Sequence, residues 1–189
     1  MVIIMSKIST ITIHAGHNAK GKVACGASDY IDESKEARII VKYMKKFLKK
    51  EKIKFYDCTV NNASSSLANL QQIVAKCNSH KRDLDVSIHF NACMHSPKDG
   101  KTKGTEVHII EDSGIKGSAA HKIASNISKV TGLTNRGIKI NKGLYVLNHT
   151  TAPALLVEVC FVDDRDDVNK YLPNKKEIAR AIVKALKAV

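Results

Sequence analysis

Apolar and polar residues recur at two different periods along this chain, and the two periods predict different elements. Alternating or continuously apolar runs predict strands, at residues 8–15, 53–60, 85–92, 104–110, 137–140, 144–147 and 154–161. Apolar residues spaced three or four apart predict amphipathic helices, beginning near residues 32, 64, 120 and 174. Strands that alternate with helices are typical of βαβ units, so we expect a mostly parallel sheet with helices on both faces.

Two segments near the C-terminal end bear on where the last helix begins. Residues Asp163–Asp167 are interpreted as an acidic turn, because four of the five side chains are carboxylates. A proline cannot continue a helix without losing a backbone hydrogen bond. Asn174, which follows Pro173, is therefore the predicted cap of the last helix.

Three predicted strands carry a histidine or a carboxylate in or beside an apolar run. His17 follows the first strand, His89 lies near the end of the third, and Glu158 lies inside the last. Ligands of open α/β sheets bind beyond the carboxyl ends of the strands. These side chains are therefore expected to converge at one edge. A buried carboxylate is costly without a partner, so Glu158 is a candidate general base.

A fourth candidate, Glu33, lies at the start of the first predicted helix, which Asp32 or Ser34 can cap. A catalytic zinc takes three ligands from His, Asp, Glu or Cys and keeps one position open for water. His17, Glu33 and His89 have the required residue types. They are scattered along the chain and form no HExxH motif, so spacing alone is a weak indication.

Composition narrows the classes of partner. The net charge of +13 comes from 31 Lys and Arg against 18 Asp and Glu. It indicates either that the protein binds anionic polymers or that it has a solvated, lysine-rich surface without such a partner. No pattern of a DNA- or RNA-binding motif is visible, so nucleic acid is not expected. No run approaches the roughly 18 apolar residues of a membrane span. The 189 residues correspond to one domain with a proper core.

The cysteines and the first residues indicate where the protein is made. Five cysteines, an odd number without a CxxC pair, are typical of reduced thiols in a protein made in the cytosol. The apolar stretch in residues 1–7 is too short for a signal peptide, and no basic segment precedes it. Met5 could be the true start, and residues 1–5 are interpreted as additional to the domain.

Six segments, taken together in chain order, form a specific pattern: Ala15–His17, Glu33 leading a helix, Ser87–Ala92, Thr134–Lys139, Leu144–Leu147 and Leu156–Phe161. This pattern resembles the zinc-dependent N-acetylmuramoyl-L-alanine amidases, and above all the catalytic domains of endolysins from phages of clostridia and related Gram-positive bacteria. The resemblance covers essentially the whole chain. It implies an α/β fold, with a twisted mixed sheet of about six strands between helices, and a single catalytic domain over residues 1–189.

The resemblance also implies a reaction and roles for individual residues. One Zn²⁺ per chain would be held by His17, Glu33 and His89, with Glu158 as the catalytic acid and base. The reaction would be hydrolysis of the amide that joins the lactyl group of N-acetylmuramic acid to L-alanine in peptidoglycan, which lyses the cell wall. Asn91 and Arg136 are expected to bind substrate.

Alternatives to two of these ligands stay open at this point. The Gly-His motif of the family favours His17 over His14, which then reads as a packing residue at the strand end. Glu36 lies close to one helical turn after Glu33 and is its main rival. Asp29 and Asp32 are further alternatives.

Endolysins of this kind often carry a separate wall-binding module, and none is expected in this chain. The basic surface could then supply attraction to anionic wall polymers. The absence of a signal peptide is consistent with a phage enzyme that is made in the cytoplasm and reaches the wall through a holin. The alternative functions are a zinc carboxypeptidase or deacylase, a basic nucleic-acid-binding domain, and a wall-binding module without catalysis.

Overall fold

The structure is a computed structural model, and it describes residues 8–189. Six strands occur in the described chain: β1 Thr10–Ala15, β2 Lys54–Asp57, β3 Leu84–Asn91, β4 Thr105–Ile109, β5 Asn135–Ile140 and β6 Ala154–Phe161. Five helices accompany them: α1 Glu33–Lys50, α2 Ser66–Asn78, α3 Gly114–Thr131, α4 Tyr145–His149 and α5 Arg165–Lys187. The predicted fold class, a single α/β domain with a mixed sheet of six strands, is confirmed.

The sheet brings the three strands of interest side by side. The strand order is β2-β1-β3-β6-β4-β5, and all neighbours are parallel except β4, which runs antiparallel to β6. The register pairs His89 with Glu158 across β3 and β6, and Glu106 with Glu158 across β4 and β6. The carboxyl ends of β1, β3 and β6 therefore meet at one edge, as the sequence predicts.

The two faces of the sheet differ in character because successive side chains of a strand point to opposite faces. One face packs apolar residues such as Ile13, Ile88 and Val157 into the main core with α1, α3 and α5. The other face lies under α2 and α4 and contributes to smaller apolar clusters. We call this second side the polar face, because its strand positions carry Thr12, His14, Asp85, Ser87, His89, Glu106, His108 and Glu158.

Helix α1 is positioned by a cap and an apolar stripe. The Asp32 side chain accepts a hydrogen bond from the backbone N–H of Lys35, at 3.0 Å, so Asp32 rather than Ser34 is the cap. Ala37, Ile40 and Met44 are buried at helical spacing. Glu33 is consequently the first residue of the helix, and its side chain lies at the carboxyl edge of the sheet.

The strand predicted at residues 144–147 is wrong, because this segment begins the short helix α4. The backbone N–H groups of Asn148 and Thr150 bond back to the carbonyls of Leu144 and Val146. The Asn148 side chain also donates to the Leu144 carbonyl, at 3.0 Å. Periodicity alone cannot distinguish a buried strand from a helical turn in an apolar run of four residues.

The predicted start of the last helix at Asn174 is also wrong. Helix α5 begins at Arg165, and its cap Asp164 accepts a hydrogen bond from the N–H of Asp167 at 2.9 Å. Most of the predicted acidic turn is therefore the first turn of a helix, where carboxylates favour the helix dipole. Pro173 lies inside the helix, which continues because residues on both sides of the proline pack into the core.

Two expectations about the ends and the membrane have limited counterparts in the structure. The expectation that residues 1–5 are additional to the domain lies outside the described residues. Within residues 8–189, no helix is both long and apolar enough to cross a membrane.

Candidate functional site

A cleft of about 620 Å³ lies at the carboxyl edge of the sheet and reaches onto the polar face. Its walls come from α2, through Asn69 and Ile73, and from the start of α4, through Tyr145. Among the predicted site residues, the cleft is lined by His17, Glu33, His89, Asn91 and Glu158. The convergence expected from the strand ends is therefore present in the fold.

Three side chains of types that can bind a metal meet in this cleft. Glu33 Oε1 lies 3.2 Å from Nε2 of His17 and 3.0 Å from Nδ1 of His89. One ligand atom from each of the three residues lies within 4.8 Å of the other two. Two imidazoles and a carboxylate thus point at a common centre, although they come from three separate elements.

Glu33 is held in its orientation by the backbone as well as by the histidines. Its Oε2 accepts a hydrogen bond from the N–H of Ala27 at 2.9 Å, and its Oε1 accepts one from the N–H of Phe90 at 3.2 Å. Burial raises the pKa of Glu33, but the hydrogen bonds and charges of His17 and His89 outweigh it and hold the pKa well below its usual range. Glu33 is therefore an ionised carboxylate.

His89 is held as a neutral imidazole. Burial lowers its pKa, and the hydrogen bond and charge of Glu33 oppose this only in part. The neutral form is the one that can donate a nitrogen lone pair to a metal.

Two glycines leave room for these side chains. A Cβ at Gly16 would overlap the ring of His89. A Cβ at Gly26 would lie 2.5 Å from Glu33 Oε2, and this residue has a φ of +82°, which L side chains rarely adopt. Glycine at both positions is therefore a condition for the close approach of the three candidate ligands.

The turn that carries His17 is held by an asparagine that sequence reasoning missed. Asn18 is fully buried, and its side chain donates to the carbonyls of Val23 and Ala63, at 2.7 and 2.9 Å. Its Oδ1 accepts from the N–H of Ala63 and from the Asn69 side chain, at 2.8 and 2.9 Å. Its position beside the Gly-His pair was the available signal in the sequence.

Glu158 lies on β6 with one carboxylate oxygen facing no donor. Its Oε2 is buried and makes no hydrogen bond within residues 8–189. Burial raises the pKa of Glu158 well above its ordinary value, and the negative charges of Glu33 and Glu106 raise it further. A carboxyl group with a raised pKa takes up a proton more readily than an ordinary carboxylate, which suits a group that transfers protons.

Glu106, a second residue missed from the sequence, lies opposite Glu158 and is fully engaged. It accepts hydrogen bonds from Asn91 Nδ2 at 3.0 Å, His108 Nε2 at 3.1 Å and Arg136 Nε at 2.6 Å. The hydrogen bond from His108 lowers its pKa to about 2, aided by Arg136 and opposed by burial. The strict alternation of Thr105–Ile109 places Glu106 and His108 on one face and was the signal for this pair.

The two predicted substrate-binding residues are both partners of Glu106 but occupy different positions. Asn91 lines the cleft, whereas Arg136 does not. The guanidinium of Arg136 lies 5.2 Å from the centre of the Phe161 ring. Contact of either residue with substrate stays a prediction.

The rivals of Glu33 are engaged elsewhere. Glu36 accepts hydrogen bonds from the Tyr171 hydroxyl at 2.7 Å and from Lys175 Nζ at 2.6 Å, both on α5. Asp29 pairs with His95 at 2.9 Å, and the remaining alternative, Asp32, caps α1. The geometry thus favours Glu33 as the acidic member of the site.

His14, the rival of His17, lies deeper on the polar face. It is fully buried, with Nδ1 3.4 Å from the Ser87 hydroxyl. Burial lowers its pKa to about 3, with a further contribution from His89. It is therefore a neutral side chain under α2, apart from the three converging ligands.

Comparisons with known proteins agree with this architecture. A family model described as N-acetylmuramoyl-L-alanine amidase matches residues 11–188. An uncharacterized 38.4 kDa protein of Clostridium perfringens is 38% identical over 161 residues, which are 85% of this chain and 45% of that protein. An endolysin of Bacillus phage SPP1 is 30% identical over 165 residues, covering 86% of this chain and 58% of that protein.

A solved structure has the same fold as this chain. The catalytic domain of an endolysin that targets Clostridia difficile superposes with a TM-score of 0.80 at 25% identity, covering 94% of this chain and 96% of that one. The chain spans about half of the length of the first curated relatives that it matches, at 45% and 46% of their residues.

Proposed function

Because the chain belongs to the N-acetylmuramoyl-L-alanine amidase family, we propose that it uses a bound zinc ion to cleave peptidoglycan. The bond cleaved is the amide between the lactyl group of N-acetylmuramic acid and L-alanine of the stem peptide. The family membership confirms the resemblance expected from the sequence. The observation that carries the proposal is the convergence of His17, Glu33 and His89 within 4.8 Å, in a cleft that also contains Glu158.

The donor set fits a zinc ion. Two imidazole nitrogens and one carboxylate oxygen are a known set of three protein ligands for catalytic zinc, with the fourth position left for water or substrate. Ligand atoms about 2.0–2.1 Å from a tetrahedral ion lie roughly 3.3 Å apart. The separations of 3.0 and 3.2 Å around Glu33 Oε1 are close to that value.

The bound zinc would polarise the scissile carbonyl and increase the acidity of the attacking water. His17 and His89 would each supply an imidazole nitrogen to this ion, and Glu33 would supply a carboxylate oxygen. The backbone N–H groups of Ala27 and Phe90 hold the Glu33 carboxylate in place, so the ligands are arranged before substrate arrives. Such preorganisation reduces the rearrangement required during the reaction.

Glu158 is assigned the proton transfers. Hydrolysis of an amide requires a base for the attacking water and an acid for the departing amine, and one carboxyl group can serve in turn. Glu158 Oε2 is buried with no hydrogen-bond partner in the described chain, so it is available to the water proton. The raised pKa of Glu158 favours uptake of that proton and its delivery to the nitrogen of L-alanine.

A digest of purified peptidoglycan tests the proposal. We expect new free amino groups on L-alanine without new reducing sugar ends, loss of this activity with a chelator, and recovery on addition of zinc. Release of a C-terminal amino acid or of an acyl group would instead identify a zinc carboxypeptidase or deacylase. A protein that binds no zinc would contradict the assignment of His17, Glu33 and His89 as its ligands.

The wider setting of the reaction also stays a prediction. Peptidoglycan is the proposed substrate, and the charge of +13 is proposed to attract the protein to anionic wall polymers. Binding of the protein to wall preparations with and without these polymers, measured over a range of salt concentrations, tests that attraction.

A further inference from the structure

Arg38 on α1 uses every donor of its guanidinium on groups around the candidate metal centre. Nε donates to the Asn61 side chain at 2.9 Å. The four remaining hydrogen bonds go to backbone carbonyls, at 2.8 to 3.3 Å: those of Gly16, His17, Ser34 and Val60. The four bonds to carbonyls are partly buried, whereas the bond to Asn61 is exposed.

These contacts hold both peptide groups that flank His17. The Gly16 carbonyl belongs to the peptide bond before His17, and the His17 carbonyl belongs to the one after it. Together the two peptide planes set the backbone angles of His17, whose φ is +60°. Residues other than glycine adopt this left-handed conformation infrequently, and surrounding contacts are needed to maintain it.

The chemistry of the contacts requires an arginine. All five acceptors of Arg38 are neutral oxygens, so within residues 8–189 the side chain forms no ion pair that another cation could replace. A guanidinium presents five N–H donors in a rigid planar arrangement, whereas a lysine ammonium is a compact group on a flexible stem.

We propose that Arg38 is a positioning residue for the metal centre, because it fixes the backbone of His17 relative to the helix that carries Glu33. Arg38 follows Glu33 by five residues on α1, so one helix supplies one proposed ligand and holds the backbone of a second. The inference rests on the proposed zinc function and adds to it a residue that touches neither metal nor substrate.

The experiment measures zinc affinity by competition with a chelator of known affinity. Substituting Arg38→Lys keeps the charge but loses the planar arrangement of donors, and Arg38→Gln provides a second variant. We expect zinc to bind at least about tenfold more weakly to both, as is typical when groups that orient metal ligands are removed. The visible spectrum of the cobalt-substituted protein should also change, because it reports the arrangement of the ligands.

Arg82→Lys is the matched control. The guanidinium of Arg82 is also fully engaged, but with Asp85, Asn78, Thr151 and the His80 carbonyl, at the amino end of the polar face. This variant should lose thermal stability while keeping the zinc affinity and the cobalt spectrum of the wild type. All proteins are compared at a temperature where circular dichroism shows them folded.

The outcomes separate the inference from the proposed function. A wild-type protein that binds no stoichiometric zinc would overturn the proposed function, and the inference with it. A wild-type protein that binds zinc, with unchanged affinity and cobalt spectrum in Arg38→Lys and Arg38→Gln, would overturn the role of Arg38 alone. Equal weakening in Arg38→Lys and Arg82→Lys would reduce the effect to general destabilisation and also overturn that role.

Discussion

The two ends of the polar face hold buried carboxylates in opposite ways. At the amino end of β3, Asp85 accepts hydrogen bonds from Arg82 Nε at 2.8 Å and Arg82 Nη2 at 2.7 Å, and from the Thr12 hydroxyl. At the carboxyl end, Glu158 has an oxygen that meets no donor from residues 8–189. Strand β3 and its neighbour β6 link both ends, so the contrast arises within one surface of one sheet.

The difference shows how the same kind of residue can serve stability or reactivity. At the amino end Arg82 balances the negative charge of Asp85, and the carboxylate oxygens of Asp85 are engaged in hydrogen bonds within the protein. At the carboxyl end, burial raises the pKa of Glu158, and the like charges of Glu33 and Glu106 raise it further. Groups with shifted pKa values that are left incompletely satisfied are characteristic of functional sites.

The largest effect on activity is expected from Glu158→Gln. The amide cannot act as a proton acceptor, so the rate of amide cleavage should fall by about 10²–10⁴-fold, the usual contribution of a general base. The melting temperature should be no lower than that of the wild type, because Glu158 Oε2 makes no hydrogen bond within residues 8–189 that the substitution would remove. Release of L-alanine amino groups and calorimetry measure the two quantities.

Glu177→Gln is the matched control for this substitution. Glu177 is an exposed glutamate on α5 that pairs with Arg180, so the same chemical change should leave activity unaltered. Near-normal cleavage by Glu158→Gln would remove Glu158 from the mechanism and leave the contrast between the two ends without a catalytic meaning.

At the amino end, Asp85→Ala should reduce stability rather than the function of the metal site. The change leaves Arg82, whose side chain is 3% exposed, as a buried charge without its counterion. Breaking a buried pair in this way costs about 3–5 kcal/mol of the free energy of unfolding. Zinc affinity should stay unchanged in the fraction that remains folded.

Urea denaturation checks this value, with Glu177→Ala as the exposed pair for comparison, where the cost should be below about 1 kcal/mol. If Asp85→Ala were as stable as Glu177→Ala, the network around Asp85 would not be the stabilising end of the face.

A smaller effect is expected from packing at the metal centre, in Gly26→Ala. The new Cβ would lie 2.5 Å from Glu33 Oε2 and 2.9 Å from Cδ2 of His17. The side chains of Glu33 and His17 must therefore move away from the alanine. Zinc affinity should fall by about tenfold, similar to the loss of a group that orients a ligand.

Gly21→Ala isolates the contribution of the backbone. Gly21 has a φ of +80°, close to the +82° of Gly26, but a Cβ there would meet nothing within 4 Å. Both variants therefore carry the cost of a left-handed alanine, about 1–2 kcal/mol. Equal zinc affinities in the two variants would show that contact with Glu33 does not matter.

The carboxyl end was more accessible to sequence reasoning than the amino end. The edge position of His17, His89 and Glu158 follows from strand periodicity and the rule for parallel sheets. The placement of Glu33 at or beside the start of the helix follows from either predicted cap, Asp32 or Ser34, whereas its choice over Glu36 came from the resemblance to the family. The periodicity and the caps are local signals, and the structure brings the four side chains into one cleft as predicted.

The parts that were missed depend on contacts between distant segments. Arg38 donates hydrogen bonds to the turn at Gly16 and to the loop at Val60, and no local sequence pattern predicts such bonds. The start of α5 was missed for another reason. A proline usually marks a boundary, but here the packing of the helix on both sides of Pro173 outweighs the one lost hydrogen bond.

The smallest expected effect concerns Arg136, which lies outside the lining of the cleft, pairs with Glu106 at 2.6 Å and lies beside the Phe161 ring. Its side chain is 37% exposed and Nη1 also bonds to the Lys103 carbonyl, so we expect Nη2 to be the group that meets a carboxylate of the stem peptide. Arg136→Gln should raise KM for peptidoglycan fragments by less than about tenfold, the range of one exposed charge contact, with kcat little changed.

Arg165→Gln, which removes an arginine stacked 3.8 Å from the Tyr30 ring, is the control and should alter neither constant. A fall in kcat with unchanged KM in Arg136→Gln would mean that the arginine acts on Glu158 through Glu106. The functional region at the carboxyl end would then include β5, the outermost strand of the sheet.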